Sequence, residues 1–201
     1  NNMINEIESY GFKDREKIKV IRNGAMFDRI VDFDELKEIA QQKYDLKDSD
    51  NILLFVGRIN KVKNIDFILN VLELLRDKHN FYNFKMIFVG EGPDLNYFKN
   101  KAKRMNLDNN ILFTGAITDR KLLSSLYVCS DLFVFPSIFD NDPLVVVEAS
   151  LAKTPSITIK NSGSSERIEN NISGFVVDNS EISFADKIYE LLNNKKILKE
   201  V

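Results

Sequence analysis

The chain has 201 residues, 44% of them hydrophobic, and 28 basic against 30 acidic side chains leave a formal charge of −2. That is enough for one sizeable core, and the near balance of charge gives no general pull toward nucleic acid or an anionic membrane, so any anion site has to be local. No stretch reaches the ~20 uninterrupted apolar residues of a membrane span, no basic-then-apolar leader opens the chain, and the lone Cys129 and lone His79 speak against a disulfide and against a metal site.

Along the chain, short β-branched and aromatic runs alternate with amphipathic stretches of helix length, the pattern of parallel strands joined by crossover helices. A helix-like start, Asn5 to Tyr10, has no strand before it, and residues 1–16 are read as the connection from a missing N-terminal domain, with residues 17–201 as the domain proper. A strand is expected at Lys17 to Ile21, then a helix at Asp34 to Lys43, a strand at Ile52 to Val56 and a helix at Asn64 to Lys78. In that helix Ile65, Ile68, Leu69, Leu72 and Leu75 recur at three and four positions, an apolar stripe for core packing. There follow a strand at Lys85 to Val89, a helix at Pro93 to Arg104, a strand at Ile111 to Phe113 and a helix at Asp119 to Tyr127. The remainder reads as a strand at Leu132 to Phe135, a helix at Pro143 to Ala152, a strand at Ser156 to Ile159, a helix at Ser164 to Asn170, a strand at Phe175 to Val177 and a helix at Ile182 to Asn193. The polar run after Asn193 ends at Val201 without a cap and reads as a cut in a longer chain. Several strands are apolar throughout, as strands buried on both faces are. The expected fold is therefore α/β, a doubly wound, mainly parallel, Rossmann-like sheet. In such sheets ligands collect where the strands end and helices begin.

Three strand-end loops carry useful chemistry. In the first, Gly57 allows a sharp turn, Arg58 offers a planar fork of donors and Lys63 lies five residues on, a combination able to clamp a diphosphate. In the second, Gly90-Glu91-Gly92-Pro93 starts like a dinucleotide fingerprint but lacks its third glycine, and a structural turn with Pro93 at the first helical position also explains it. In the third, Asp142 fits a helix cap and Pro143 the first helical position, so that the amides from Pro143 through Leu144 to Val145 open toward the strand ends, where a phosphate can bind provided the Asp142 carboxylate turns away. Glu148, inside an otherwise apolar helix, needs hydrogen-bond donors, and the vicinal hydroxyls of a ribose are suitable. Asp140 and Glu148 also admit plainer readings as a loop acid and a lysine-paired helix acid. Glu91, Ser162, Gly163 and Glu166 could line the same pocket or simply shape loops and caps. Cys129 reads as a small buried side chain, and His79 as a solvated residue at a helix end.

Taken in order, Asn23-Gly24, Gly57-Arg58 with Lys63, Gly90 with Gly92, Phe113-Thr114-Gly115, Pro136-Ser137, Asp140 with Glu148-Ala149, and Glu166-Arg167-Ile168 with Gly174-Phe175 resemble the carboxyl-terminal domain of the family 4 retaining glycosyltransferases, over residues 18 to 178. The resemblance implies the nucleotide-sugar-binding half of a two-domain GT-B enzyme. It implies that Arg58 and Lys63 neutralise the departing diphosphate, that the amides near Pro143 to Val145 bind its oxygens, and that Asp140 holds donor-sugar hydroxyls while Glu148 holds the ribose. The base would lie against backbone from Gly115 to Ile117, with Gly57, Gly90 and Asp142 among the donor-binding residues. No metal or other cofactor is implied, because the two cations supply the positive charge. The implied partners are a nucleotide diphosphate sugar, the missing N-terminal domain, and a glycan or lipid-linked acceptor. The expected location is cytoplasmic, with any contact to the inner membrane surface made through the missing domain.

This chain departs from the usual pattern at Asp140, where glutamate is common, at Asp142, where glycine or an apolar residue is usual, and at Lys153, where glycine often follows the helix. Those departures keep open a second reading, a catalytically degenerate binding subunit that supports a partner enzyme. A dinucleotide-dependent oxidoreductase is a third, disfavoured by the absent glycine.

Overall fold

A computed structural model describes residues 2–19, 21–25 and 30–201. Its elements run α1 (Asn2–Ser9), α2 (Phe33–Tyr44), β1 (Ile52–Val56), α3 (Ile65–Asp77), β2 (Lys85–Val89), α4 (Leu95–Arg104), β3 (Ile111–Gly115), α5 (Arg120–Cys129), β4 (Leu132–Phe135), α6 (Leu144–Leu151), β5 (Ser156–Ile159), β6 (Phe175–Val177), α7 (Glu181–Asn193) and α8 (Lys195–Glu200), with short 3-10 turns at Arg15–Lys17, Lys61–Lys63 and Ser164–Arg167.

The six strands form one sheet in the order β3-β2-β1-β4-β5-β6, and every pairing is parallel. From β1 the chain steps outward to β2 and β3, then returns to the other side of β1 for β4, β5 and β6. Because parallel crossovers are right-handed, that reversal places the connecting helices on opposite faces. The helices accordingly fall into two groups, α3 packing on α4 and α7, and α5 packing on α2 and α6. The two sides of the reversal, β1 and β4, are neighbours in the ladder, so the loops after them diverge and leave a crevice at the strand ends.

Burial on both faces explains the sequence of the central strands. All five residues of β1 and all four of β4 are buried, as are the stripe residues Ile65, Ile68, Leu69, Leu72 and Leu75 of α3. The starts of α2 and α5 are capped by short polar side chains: Asp32 accepts from the Glu35 amide at 2.9 Å, and Asp119 from those of Lys121 at 2.9 Å and Leu122 at 3.2 Å.

Four expectations change. The strand at Lys17 to Ile21 is absent among the described residues: Lys17 ends a 3-10 turn and residues 18, 19 and 21 lie outside the sheet, while Val20 lies outside the described residues. Its alternating pattern supplies propensity, but a strand also needs a ladder neighbour, and Ile21 is exposed instead. The helix at Ser164 to Asn170 is a single 3-10 turn, Ser164–Arg167. Asp94, not Pro93, stands next to the first residue of α4, and Pro143 occupies the cap of α6 rather than its first turn. Among the described residues, no helix is long and apolar enough to cross a membrane.

Candidate functional site

The loops after β1 and β4 are tied across the crevice by side chains. Asn60 accepts the Lys63 amide at 3.2 Å and so closes the 3-10 turn Lys61–Lys63, and the Lys63 ammonium reaches across to Asp140 Oδ1 at 2.5 Å, with both side chains 22% exposed. Asn64, in the left-handed conformation at the start of α3, adds a second tie by donating to the Pro136 carbonyl at 3.2 Å. Asp140 keeps one oxygen in reserve: its Oδ2 is buried without a hydrogen-bond partner, as is the hydroxyl of neighbouring Ser137. Arg58 is exposed in the same loop as Lys63. The arrangement thus pairs two of the three expected catalytic residues with each other and leaves Arg58 facing solvent.

The entrance of α6 differs from expectation in two atomic details. Pro143 has no N–H, so the donors at this end are the amides of Leu144 and Val145, which have no acceptor within the helix, while the Val146 amide turns back to the Pro143 carbonyl at 3.3 Å. Asp142 is neither cap nor open donor-binding group. Its carboxylate is gripped by Arg167, with Nε on Oδ1 and a second guanidinium nitrogen on Oδ2 at 2.7 Å, and it accepts the Asn23 amide at 2.8 Å. Arg167 also donates to the Asn23 carbonyl at 2.7 Å. The hydrogen bond from Arg167, outweighing desolvation, holds the Asp142 carboxyl below its ordinary value, so it stays charged and stays turned away from the helix entrance. The reason is competition: a bidentate guanidinium is a stronger partner for a carboxylate than one backbone amide.

Glu148, on the second turn of α6, accepts from the Tyr127 hydroxyl at 3.0 Å through Oε2. Among the described residues the acid therefore has a donor within the protein, which the sequence had not disclosed. Lys153 lies beyond the opposite end of α6 in the left-handed conformation, with its ammonium over the Phe33 ring at 4.8 Å. It stands about 12 Å along the helix, at 1.5 Å per residue, from the amides of Leu144 and Val145.

The glycines have packing roles. A Cβ on Gly90 would lie 1.9 Å from the Gly57 carbonyl oxygen, and one on Gly92 2.1 Å from that of Ile59. The two loops are zipped by Gly57 N to Val89 O at 3.0 Å and Ile59 N to Glu91 O at 2.9 Å. Gly90 donates its own amide to the Gly115 carbonyl at 2.9 Å, so Gly57, Gly90 and Gly115 tie the loops after β1, β2 and β3 to one another. Ile117 packs partly buried against the core. Gly163 is a further close approach, its missing Cβ 2.1 Å from the Asp140 carbonyl; this seats the Ser164–Arg167 turn directly under the acidic loop.

Sequence reasoning missed Tyr127 and the site role of Arg167. A tyrosine inside an apolar helix face needs a partner for its hydroxyl, and that signal was present. His79 is also corrected: its side chain is 16% exposed, stacked on Tyr189 with centroids 4.2 Å apart and 2.7 Å from Asp186, because α7 packs over the end of α3. Cys129 is buried, as expected.

With this geometry in hand, comparison with known proteins gives a consistent result. The model for glycosyl transferases group 1 matches residues 37–201. The Escherichia coli UDP-Gal:α-D-GlcNAc-diphosphoundecaprenol α-1,3-galactosyltransferase is 25% identical over 186 residues, covering 92% of this chain and 47% of that protein; the chain thus spans about half the length of this relative. Among solved structures, WaaG, a glycosyltransferase of lipopolysaccharide biosynthesis, superposes with a TM-score of 0.85 at 21% identity, covering 99% of this chain and 54% of that one. A Staphylococcus aureus TarM variant in complex with fondaparinux, α-GlcNAc-glycerol and UDP gives 0.76 at 23% identity, covering 100% and 37%. At these identities the two structures speak to fold.

Proposed function

The chain belongs to the glycosyl transferases group 1 family, and on that premise we propose that it is the donor-binding half of a retaining glycosyltransferase that moves a sugar from a nucleotide diphosphate sugar to a glycan or lipid-linked acceptor. The observation that carries this reading is the meeting of Lys63 and Asp140 at 2.5 Å across the strand-order reversal, beside the amide-bearing entrance of α6 and the helix that holds Glu148.

In this reading Lys63 exchanges Asp140 for the oxygens of the leaving diphosphate, and Arg58 adds a second cation from the same loop. The amides of Leu144 and Val145 bind the same group. Fixed positive groups aimed at charge that develops as the sugar–phosphate bond breaks lower the barrier, and they supply the charge that a divalent cation would otherwise bring. Asp140 Oδ2, buried and unpartnered, is an acceptor suited to a donor-sugar hydroxyl. Glu148 accepts the ribose hydroxyls, and the base rests along backbone from Gly115 to Ile117. Of the three departures that had left a degenerate binding subunit open, Asp140 is paired with Lys63, Asp142 is turned away by Arg167 and Lys153 lies at the far end of α6, which supports the active reading.

Support for the donor class comes from two of the similar proteins, one named for a UDP-Gal donor and one crystallised with UDP. The test is calorimetric titration of the chain with UDP, GDP and their sugars. One nucleotide should bind, and Lys63→Ala should weaken it while costing on the order of 10²-fold in turnover of the full-length enzyme. Absence of binding by every nucleotide tried, or unchanged turnover in the variant, refutes the assignment.

A further inference from the structure

We propose that Tyr127 is a positioning residue that fixes the Glu148 carboxylate for recognition of the two ribose hydroxyls, and so sets the preference of this site for ribonucleotides over 2′-deoxyribonucleotides. The proposal rests on the reading of Glu148 as the ribose acceptor. Tyr127 is itself immobilised from three sides. Its ring, 0% exposed, packs against Phe133 of β4 with centroids 5.5 Å apart; its backbone carbonyl accepts the Thr154 hydroxyl at 2.6 Å; and its phenol donates to Glu148 Oε2 at 3.0 Å. The three contacts come from β4, the segment after α6, and α6, so the hydroxyl is anchored to the frame that presents Glu148.

The chemistry follows from counting donors. A glutamate inside a helix has three rotatable side-chain bonds, and a partly buried one without a fixed donor would sample several rotamers. The phenol holds one oxygen, leaving Oε1 and the second lone pair of Oε2 for the cis-diol of a ribose. Burial first, then the charge of Glu148, pushes the Tyr127 phenol well above its ordinary value, so it remains a donor across the physiological range. A ribose hydroxyl can satisfy such an acceptor, whereas a 2′-methylene leaves it dry and unpaired, which is how polar sites reject an analogue that lacks a hydroxyl.

The test uses the whole chain and Tyr127→Phe, titrated with UDP or GDP, whichever binds, with its 2′-deoxy counterpart and with inorganic pyrophosphate. The variant should lose about tenfold in affinity for the ribonucleotide, the range expected for one hydrogen bond to a charged group, show a narrowed ribo-to-deoxy preference, and bind pyrophosphate as before. Tyr127→Phe/Glu148→Gln should lose no more than Glu148→Gln alone. A purely structural role would instead lower nucleotide and pyrophosphate affinity together, and unchanged nucleotide affinity would equally overturn the proposal. In the unmodified chain the Tyr127 hydroxyl proton, followed by NMR, should shift with the nucleotide and not with pyrophosphate; equal shifts contradict the inference even if the variant does not fold. A parent chain that binds neither UDP nor GDP sinks the glycosyl-transfer reading itself, whereas one that binds and discriminates while Tyr127→Phe does the same sinks only the role of Tyr127.

Discussion

At the level of single residues, Asp142 shows how a local signal yields to a distant partner. In sequence it stands before a proline and an apolar run and reads as a cap, and in the fold Arg167, 25 positions on, takes its carboxylate. The linkage has a definite sign. Asp142 is held below its ordinary value, so the stabilisation is fully present above the ordinary carboxylate range and is lost as pH falls through the lowered value. Asp142→Asn should therefore destabilise the chain by about 1–2 kcal/mol at neutral pH, as loss of hydrogen bonds to a charged group does. The gap between parent and variant should stay constant down to about pH 5 and shrink below about pH 4. Urea melts across that range check this, and a gap undiminished at pH 3 contradicts it. The partner was illegible because no spacing rule connects residues 142 and 167; the close seat at Gly163, against the Asp140 carbonyl, holds the two segments near each other in the fold.

Among elements, the loops after β1 and β2 behave as one unit, since their backbones continue the parallel ladder beyond the strands. Gly90, with φ of +135° and the Gly57 carbonyl 1.9 Å from its missing Cβ, is the point of closest approach. Gly90→Ala must both strain the backbone and push the Gly57–Lys63 loop outward, and a destabilisation of about 2–4 kcal/mol is expected from overpacking plus the disfavoured φ. Nucleotide affinity should fall with it, because Arg58 and Lys63 ride on the displaced loop. Thermal melts and titration of Gly90→Ala read both effects, and a neutral outcome in stability shows that the loops are not coupled. Gly90 and Gly92 were conspicuous in the sequence as a partial phosphate fingerprint, and the strand that precedes them was plain. That the glycines serve loop against loop depends on the neighbour strand, which a one-dimensional pattern does not contain. The failed strand at Lys17 to Ile21 has the same origin: alternation is local, and ladder partners are not.

For the whole molecule, in the proposed function the crevice between β1 and β4 presents the donor-side groups on a frame of parallel strands, and the acceptor side comes from the other half of a two-domain enzyme. The isolated chain should then bind nucleotide with little transfer to any acceptor, because half of the positioning that makes the reaction effectively unimolecular is missing. Product analysis of the chain with donor and acceptor, set beside the full-length enzyme, decides this, and vigorous transfer by the chain alone contradicts it.

The amino-acid sequence by itself determined the alternation of strands and helices, the apolar stripe of α3, the fully buried central strands, the loops that bear Arg58, Lys63 and Asp140 and the helix that bears Glu148, because periodicity, capping chemistry and turn residues act over a few positions. Only the tertiary structure decided the strand order, the pairing of Lys63 with Asp140, the capture of Asp142 by Arg167 and the hold of Tyr127 on Glu148. The three side-chain pairs join residues 21 to 77 positions apart, and the free energy that brings such residues together comes from burying the sheet between its helix layers, a property of the folded whole.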